Sequence, residues 1–176
     1  MHKSLLAAVA LVSGVSLIAA QDTQFLAALE AAQRARPAQL TAQARIAPES
    51  EPGTPLVIHG RALAADGRTP LVNAVVFAYH TDREGLYDRA GAPPHSWRLR
   101  GWARTDGEGR FEFRTIRPGA YPNTNIKAHV HFTLFTADGG RYHAGELQFE
   151  GDRGIRREGS TEHVDFAARA EPRQRF

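Results

Sequence analysis

Two histidines in the segment AHVHF, His129 and His131, stand two residues apart. On a strand, side chains at i and i+2 project from one face. Both imidazoles therefore point the same way, while Val130, Phe132 and Leu134 point to the other face and can fill a core. Imidazoles side by side are costly to bury without a partner, which a metal or a set of hydrogen bonds can provide. An HxH pair alone is a weak metal signal, and its context raises it. Tyr121 sits in the corner PGAYPN that leads into this strand, and Tyr87 opens a long loop in REGLYD. Two phenols and two imidazoles make an N/O donor set. Tyrosinate is a hard anionic donor that favours ferric iron, and imidazole also suits iron. Phenols of pKa about 10 lose their protons to a cation of that charge.

The elements that must position these residues read as short strands: LVIHGRAL (56–63), NAVVFAYH (73–80), GWARTD (101–106), RFEFRT (110–115), KAHVHFTLFT (127–136), RYHAGELQFEG (141–151) and HVDFAARA (163–170). The turn GEG (107–109) signals a hairpin. Phe111 and Phe113 alternate with charged residues, so one face of that strand is buried and the other wet. Seven strands at this spacing predict an all-β fold, an antiparallel β-sandwich. Lys127 shares the parity of His129 and is expected on the site face. LYDRAGAPPHSWRL (86–99) is a loop longer than the ~12 residues usual between elements, and such loops often carry function. His59, His80 and His95 read as ordinary strand-end or loop residues, and Tyr142 and His143 as sheet-face residues. Trp97 and Trp102 read as packing, with Trp97 also placed to cover a pocket. Arg98 and Arg100 read as solvated charges; facing inward with Lys127, they would favour a substrate bearing a carboxylate.

The chain of 176 residues fits one domain, and 42% hydrophobic with 23% charged residues is a globular composition. With no Cys, disulfides, thiolate metal sites, a Cys nucleophile and a lipoprotein Cys are all excluded. The net charge of +3 comes from 20 Arg and 2 Lys dispersed among acids, with no basic stripe, so nucleic-acid binding is not expected. His2 and Lys3, the apolar run Leu5–Ala20 and the polar QDTQ that follows read as a secretory signal over residues 1–20. Cleavage there leaves no stable membrane span and places the protein outside the cytoplasm, secreted or periplasmic. Residues 21–54 follow as an N-terminal helix and linker: Phe25, Leu26, Leu29 and Ala32 recur at helical spacing, Pro37 stops the helix, and APESEPGTP (47–55) is linker-like. The sandwich domain is assigned to 55–176.

The run from Ile58 to Asp152 resembles the intradiol ring-cleavage dioxygenases, the group of catechol and protocatechuate dioxygenases. The resemblance rests on AYHTDREGLYD, RTDGEGRFEFRTIRPGAYP, AHVHF and ELQFEGD. It implies a prealbumin/transthyretin-like sandwich and ferric iron held by Tyr87, Tyr121, His129 and His131. It also implies a small-molecule catechol and molecular oxygen as reactants. The catechol binds through both oxygens, Tyr121 accepts one of its protons and leaves the iron, Tyr87 stays, and the ring opens to a muconate-type diacid. The chain departs from the family pattern at several positions. Tyr79 stands for a usual Trp, Asn123 for an aromatic, Ile126 for an Arg beside Lys127, and Glu146 for a Gln. Trp97, Asn123, Ile126, Lys127 and Glu146 are therefore the expected pocket residues.

Two other readings compete. A ligand-free sandwich of the carboxypeptidase-regulatory or transthyretin-like type shares GRALAADGRTPLVNAVV and TDGEGRFEF, which serve turns and core. It has no need of Tyr87 or of the two histidines. A copper site on a β-sandwich also uses HxH, with His143 and His163 as further ligands.

Overall fold

The computed structural model describes residues 12–170, with side chains from residue 23 onward. Most of the signal segment expected over 1–20 lies outside the described residues. The chain divides into two compact units, Met1–Arg36 and Pro37–Phe176. In the first, Val12–Arg34 forms one α-helix, α1. Arg34 closes its last turn beside Glu30 at 4.0 Å, a favourable placement of a cation at a helix C-terminus. No described helix is long and apolar enough to cross a membrane.

The second unit is built of strands: β1 (Gln43–Arg45), β2 (Pro55–Leu63), β3 (Val75–His80), β4 (Leu99–Arg104), β5 (Arg110–Ile116), β6 (His129–Phe135), β7 (Arg141–Gln148), β8 (Arg156–Glu158) and β9 (Thr161–Arg169). They form two sheets, ordered β1-β5-β2-β9-β8 and β4-β3-β6-β7. The seven expected strands are present, with two short ones added. The sheets are not purely antiparallel as expected, because β1 pairs with β5 and β2 with β9 in parallel. The short β1 uses the free backbone groups along the edge of β5. The Glu112 N–H donates to the Ala42 carbonyl at 2.7 Å, and the Ile46 N–H donates to the Arg114 carbonyl at 2.9 Å. Such main-chain pairing leaves no hydrophobic alternation in QAR to reveal it. The linker-like stretch is also tied down, since Ile46 and Ala47 are buried in the core.

Between the sheets lie Ile58, Val76, Phe113, Val130, Phe132 and Leu134, all fully buried. Phe111 lies over its cross-strand partner Gly60, where a Cβ would come within 2.0 Å of the ring. Every residue of β3 is buried. Val76 and Ala78 face the inter-sheet core. Phe77 and Tyr79 face outward into Trp97 and Trp102: Tyr79 stacks on Trp97 at 4.3 Å, and Phe77 meets Trp102 at 5.3 Å. A long loop carrying Trp97 thus supplies a second apolar layer on the outer face of the four-stranded sheet.

His80, read from the sequence as an ordinary strand end, is fully buried at the core side of β3. Its Nδ1–H donates to the Thr81 carbonyl and its Nε2 accepts from the Thr115 hydroxyl, both at 2.6 Å. The neutral ring is satisfied on both sides. Burial, only partly offset by the Thr81 carbonyl, pushes its pKa down to about 4. The unfolded state then binds an extra proton between about pH 6.5 and 4. The contribution of His80 to stability is complete above that window and lost as pH falls through it, by about 3 kcal/mol at the low end. His80→Asn should therefore flatten the fall of the urea midpoint between pH 7 and pH 4.5 relative to the unaltered protein. An unchanged slope would contradict this role.

Candidate metal centre

The outer face of the four-stranded sheet carries a cross-strand row. Arg100 on β4 pairs with Tyr79 on β3, Tyr79 with His131 on β6, and His131 with Glu146 on β7. Residues directly opposite in a ladder have side chains in contact on one face. Tyr79 accordingly stacks on the His131 ring, with centroids 4.6 Å apart and planes 18° apart. The Glu146 Oε1 lies 3.1 Å from Nδ1 of His131 on the other side. The β6–β7 register shifts between His131 and Thr133, and the pairing continues beyond it at Thr133–His143.

Two loops bring the tyrosines to this row. After β3 the chain turns at Asp82, whose Oδ1 accepts from the Glu84 and Leu86 N–H groups, both at 3.0 Å. The corner after β5 locks against this turn. Gly119 N–H donates to the Asp82 carbonyl at 2.8 Å, and the Thr81 hydroxyl donates to the Gly119 carbonyl at 2.8 Å. A Cβ on Gly119 would meet the Arg83 carbonyl oxygen at 2.4 Å, and one on Gly85 would meet the Ala120 carbonyl oxygen at 2.0 Å. The two glycines therefore permit the close approach of backbones that sets Tyr87 beside Tyr121.

The four side chains converge. Their donor atoms form a closed group: Tyr87 Oη hydrogen-bonds Tyr121 Oη and lies 2.7 Å from His131 Nε2. Tyr121 Oη lies 3.3 Å from His129 Nε2, and the two Nε2 atoms are 2.9 Å apart. The tautomers follow from the far nitrogens. His129 Nδ1 is 2.6 Å from the Lys127 carbonyl, and His131 Nδ1 faces the Glu146 carboxylate. The Lys127 carbonyl only accepts, so His129 carries its proton on Nδ1 and presents its Nε2 lone pair; the carboxylate 3.1 Å from His131 Nδ1 favours the same tautomer there. Two lone pairs at this distance repel unless a cation lies between them. Metal–N and metal–O bonds of about 2.0–2.2 Å place neighbouring donors about 3 Å apart, so the group fits a small shared cation.

The electrostatics agree. Burial, with the His129 and His143 rings, pushes the His131 pKa down to about 3, keeping it a neutral ligand. Burial also raises the Tyr87 and Tyr121 phenols, helped at Tyr87 by its hydrogen bond to Tyr121 and opposed at Tyr121 by the same bond. Without a cation the phenols stay protonated, and a multivalent ion reverses that balance. His129, His131 and Glu146 have ligand atoms within 4.8 Å of one another. Glu146, however, meets the nitrogen of His131 that points away from the donor group.

Other expected residues fall differently. Lys127 does not face the site: its ammonium pairs with Glu150 and is exposed, and only its carbonyl serves the centre, through His129. Asn123 and Ile126 lie on an exposed stretch after Tyr121, with Asn123 in a left-handed conformation. Trp97 is 2% exposed and backs Tyr79, so it supports the site from behind. Arg98 is no solvated charge. It forms a two-pronged ion pair with Glu51 at 2.6 and 2.8 Å and reaches Asp82 at 3.3 Å. Arg100 lies over Trp102 and donates to the Ser96 carbonyl. His163, a candidate copper ligand, lies in the other sheet, stacked on His59. The contribution of Tyr79 was visible in the sequence only as a substitution; its contact with His131 needed the β3–β6 register.

Comparison with known proteins gives the same picture. The Dioxygenase family model matches residues 30–162. Catechol 1,2-dioxygenase 1 of Acinetobacter lwoffii is 34% identical over 126 residues, covering 61% of this chain and 39% of that protein. The protocatechuate 3,4-dioxygenase beta chain of Burkholderia cepacia is 34% identical over 110 residues, covering 57% of this chain and 46% of its own. The chain thus spans less than half the length of these curated relatives. The dioxygenase domain of a dioxygenase–carbohydrate-binding protein fusion from Streptomyces sp. SirexAA-E shares the fold. It superposes with a TM-score of 0.60 at 22% identity, over 77% of this chain and 91% of that one. The matched stretch runs from before β1 to the start of β9 and includes both tyrosine loops and the HxH strand, and the chain belongs to the intradiol ring-cleavage dioxygenase family.

Proposed function

We propose that this protein is a non-haem ferric dioxygenase. It opens the ring of a catechol-type aromatic between the two hydroxyl-bearing carbons, and both atoms of molecular oxygen enter a muconate-type diacid. The prealbumin-like description of its sandwich, and iron ligation by Tyr87, Tyr121, His129 and His131, belong to the same reading. One observation carries it: two phenol oxygens and two imidazole Nε2 atoms converge in one closed group, with the Nδ1 proton of His129 committed to the Lys127 carbonyl and a carboxylate beside Nδ1 of His131. A ligand-free sandwich gives no reason for that convergence.

When bound, ferric iron supplies a Lewis acid that gathers the catechol oxygens and draws electron density from the ring. The chain supplies the rest. His129 and His131, on a paired strand, hold their rings fixed through the Lys127 carbonyl and Glu146. Tyr121 Oη is the proton acceptor for a catechol hydroxyl, and Tyr87 is the retained phenolate. Their backbones support this division. Tyr87 is fixed on both sides: its carbonyl accepts from Arg98 N–H at 3.1 Å, and Leu86 N–H is held by Asp82. Tyr121 follows the locked Gly119 corner but leads into residues 123–127, all exposed, and its carbonyl accepts from the Thr124 hydroxyl of that stretch at 3.2 Å. Asn123 and Ile126 on that stretch, and the loop 86–99 carrying Trp97, are assigned to substrate choice. The same reading places the mature protein outside the cytoplasm, secreted or periplasmic, after removal of residues 1–20.

Four measurements test this. The purified protein should hold about one iron per chain, show the red-brown colour of tyrosinate-to-ferric charge transfer, and consume oxygen with catechol. His131→Ala should lose iron and colour together, and a normal iron content in that variant would remove His131 from the ligand set. Tyr121→Phe, checked for iron, should still take up catechol but form the chelated complex about 100-fold more slowly, the scale of a lost general base. Turnover at the unaltered rate would end the proton-acceptor assignment. N-terminal sequencing of exported protein should begin near Gln21, and retention of Met1 would contradict cleavage.

A further inference from the structure

We infer that Glu146 is a positioning residue that sets both the tautomer and the charge of the metal centre by holding His131 from behind. The inference rests on the ligand set proposed above. Glu146 sits on β7, beside β6 in the four-stranded sheet. The cross-strand register places it directly beside His131, and its Oε1 is 3.1 Å from the ring Nδ1. Its other oxygen is met only by the Gln148 amide at 3.4 Å, and no Lys or Arg among the described residues pairs with it. Glu146 is half-buried, and the nearest partner of its carboxylate is the His131 ring. Tyr79 stacks on the same ring, so the pair fixes His131 in rotation as well as in tautomer.

Two consequences separate position from charge. A carboxylate oxygen 3.1 Å from Nδ1 favours the proton there and leaves Nε2 free for the metal, an effect that a neutral acceptor also has. A full negative charge does more. It raises the donor strength of the imidazole and offsets positive charge on the ion behind it. With two phenolates it balances the charge of a trivalent ion from the protein alone. Such a centre holds the ferric state more firmly than one with Gln at this position.

The experiment compares the unaltered protein with Glu146→Gln and Glu146→Ala. Imidazole 15N shifts of the iron-free protein should show His131 as the Nδ1–H tautomer. Glu146→Gln should keep that tautomer, and Glu146→Ala should lose it and hold iron about 10- to 100-fold less tightly, the usual cost of a lost partner behind a metal ligand. With iron bound, Glu146→Gln should move the tyrosinate charge-transfer band to longer wavelength and raise the reduction potential, because the ion becomes easier to reduce. An Nε2–H tautomer in the unaltered iron-free protein would overturn the inference whatever the iron content. An unmoved band and potential in Glu146→Gln would overturn the role of charge. If the unaltered protein took up no iron, the ligand reading would fall separately, and the tautomer comparison would still decide whether Glu146 positions His131.

Discussion

Two imidazole nitrogens, Nε2 of His129 and Nε2 of His131, face each other at 2.9 Å at the centre of this protein. The Lys127 carbonyl holds the proton of His129 on the opposite nitrogen, and the Glu146 carboxylate beside His131 Nδ1 favours the same arrangement there. Neither ring can turn aside easily. Both sit on β6, paired on each side, and His131 is stacked on Tyr79. The arrangement is unfavourable in itself and becomes favourable around a cation. Much of the surrounding structure keeps it in place: the β3–β6 register, the second apolar layer of Trp97 and Trp102, and the glycine-mediated locking of the two tyrosine loops.

The same logic accounts for the phenols. Burial raises the cost of ionising Tyr87 and Tyr121, and their mutual hydrogen bond stabilises the protonated pair. On the proposed ligation, a multivalent ion would replace both phenol protons and relieve the imidazole contact at once. Ion binding and site order would then be linked, with protons released on binding. A site with the same four residues spread over a flexible surface would gain less, because ordering them would cost conformational entropy at the moment of binding.

The core strands and donor residues were legible from sequence, because period-two alternation and a pair of histidines at i and i+2 are local patterns. Phe111 and Phe113 alternate into the core as their spacing predicts. What was not legible depends on partners distant along the chain. β1 is held by main-chain bonds to β5, which leave no side-chain signature. Arg98 resembles a solvated charge until Glu51 is brought to it across 47 positions of sequence. Lys127 has the parity of His129, but it precedes the first paired residue of β6, so parity does not govern its direction. Its ammonium turns out to Glu150 while its carbonyl turns in. His80 is buried on the inter-sheet side of β3, where Thr115 of β5 reaches its ring from 35 positions away in sequence.

The placement of the cations completes the physical picture. The chain carries 20 Arg, yet those beside the site are spent elsewhere: Arg98 on Glu51 and Asp82, Arg100 on Trp102 and the Ser96 carbonyl. The donor group is thus left with neutral imidazoles, ionisable phenols and one carboxylate. A guanidinium pointed into it would compete with any metal ion for those donors and would repel the ion across a short distance of low dielectric. Tying Arg98 to Glu51 does two things with one interaction. It anchors the loop that carries Trp97 and Tyr87, and it removes a competing positive charge from the anionic centre.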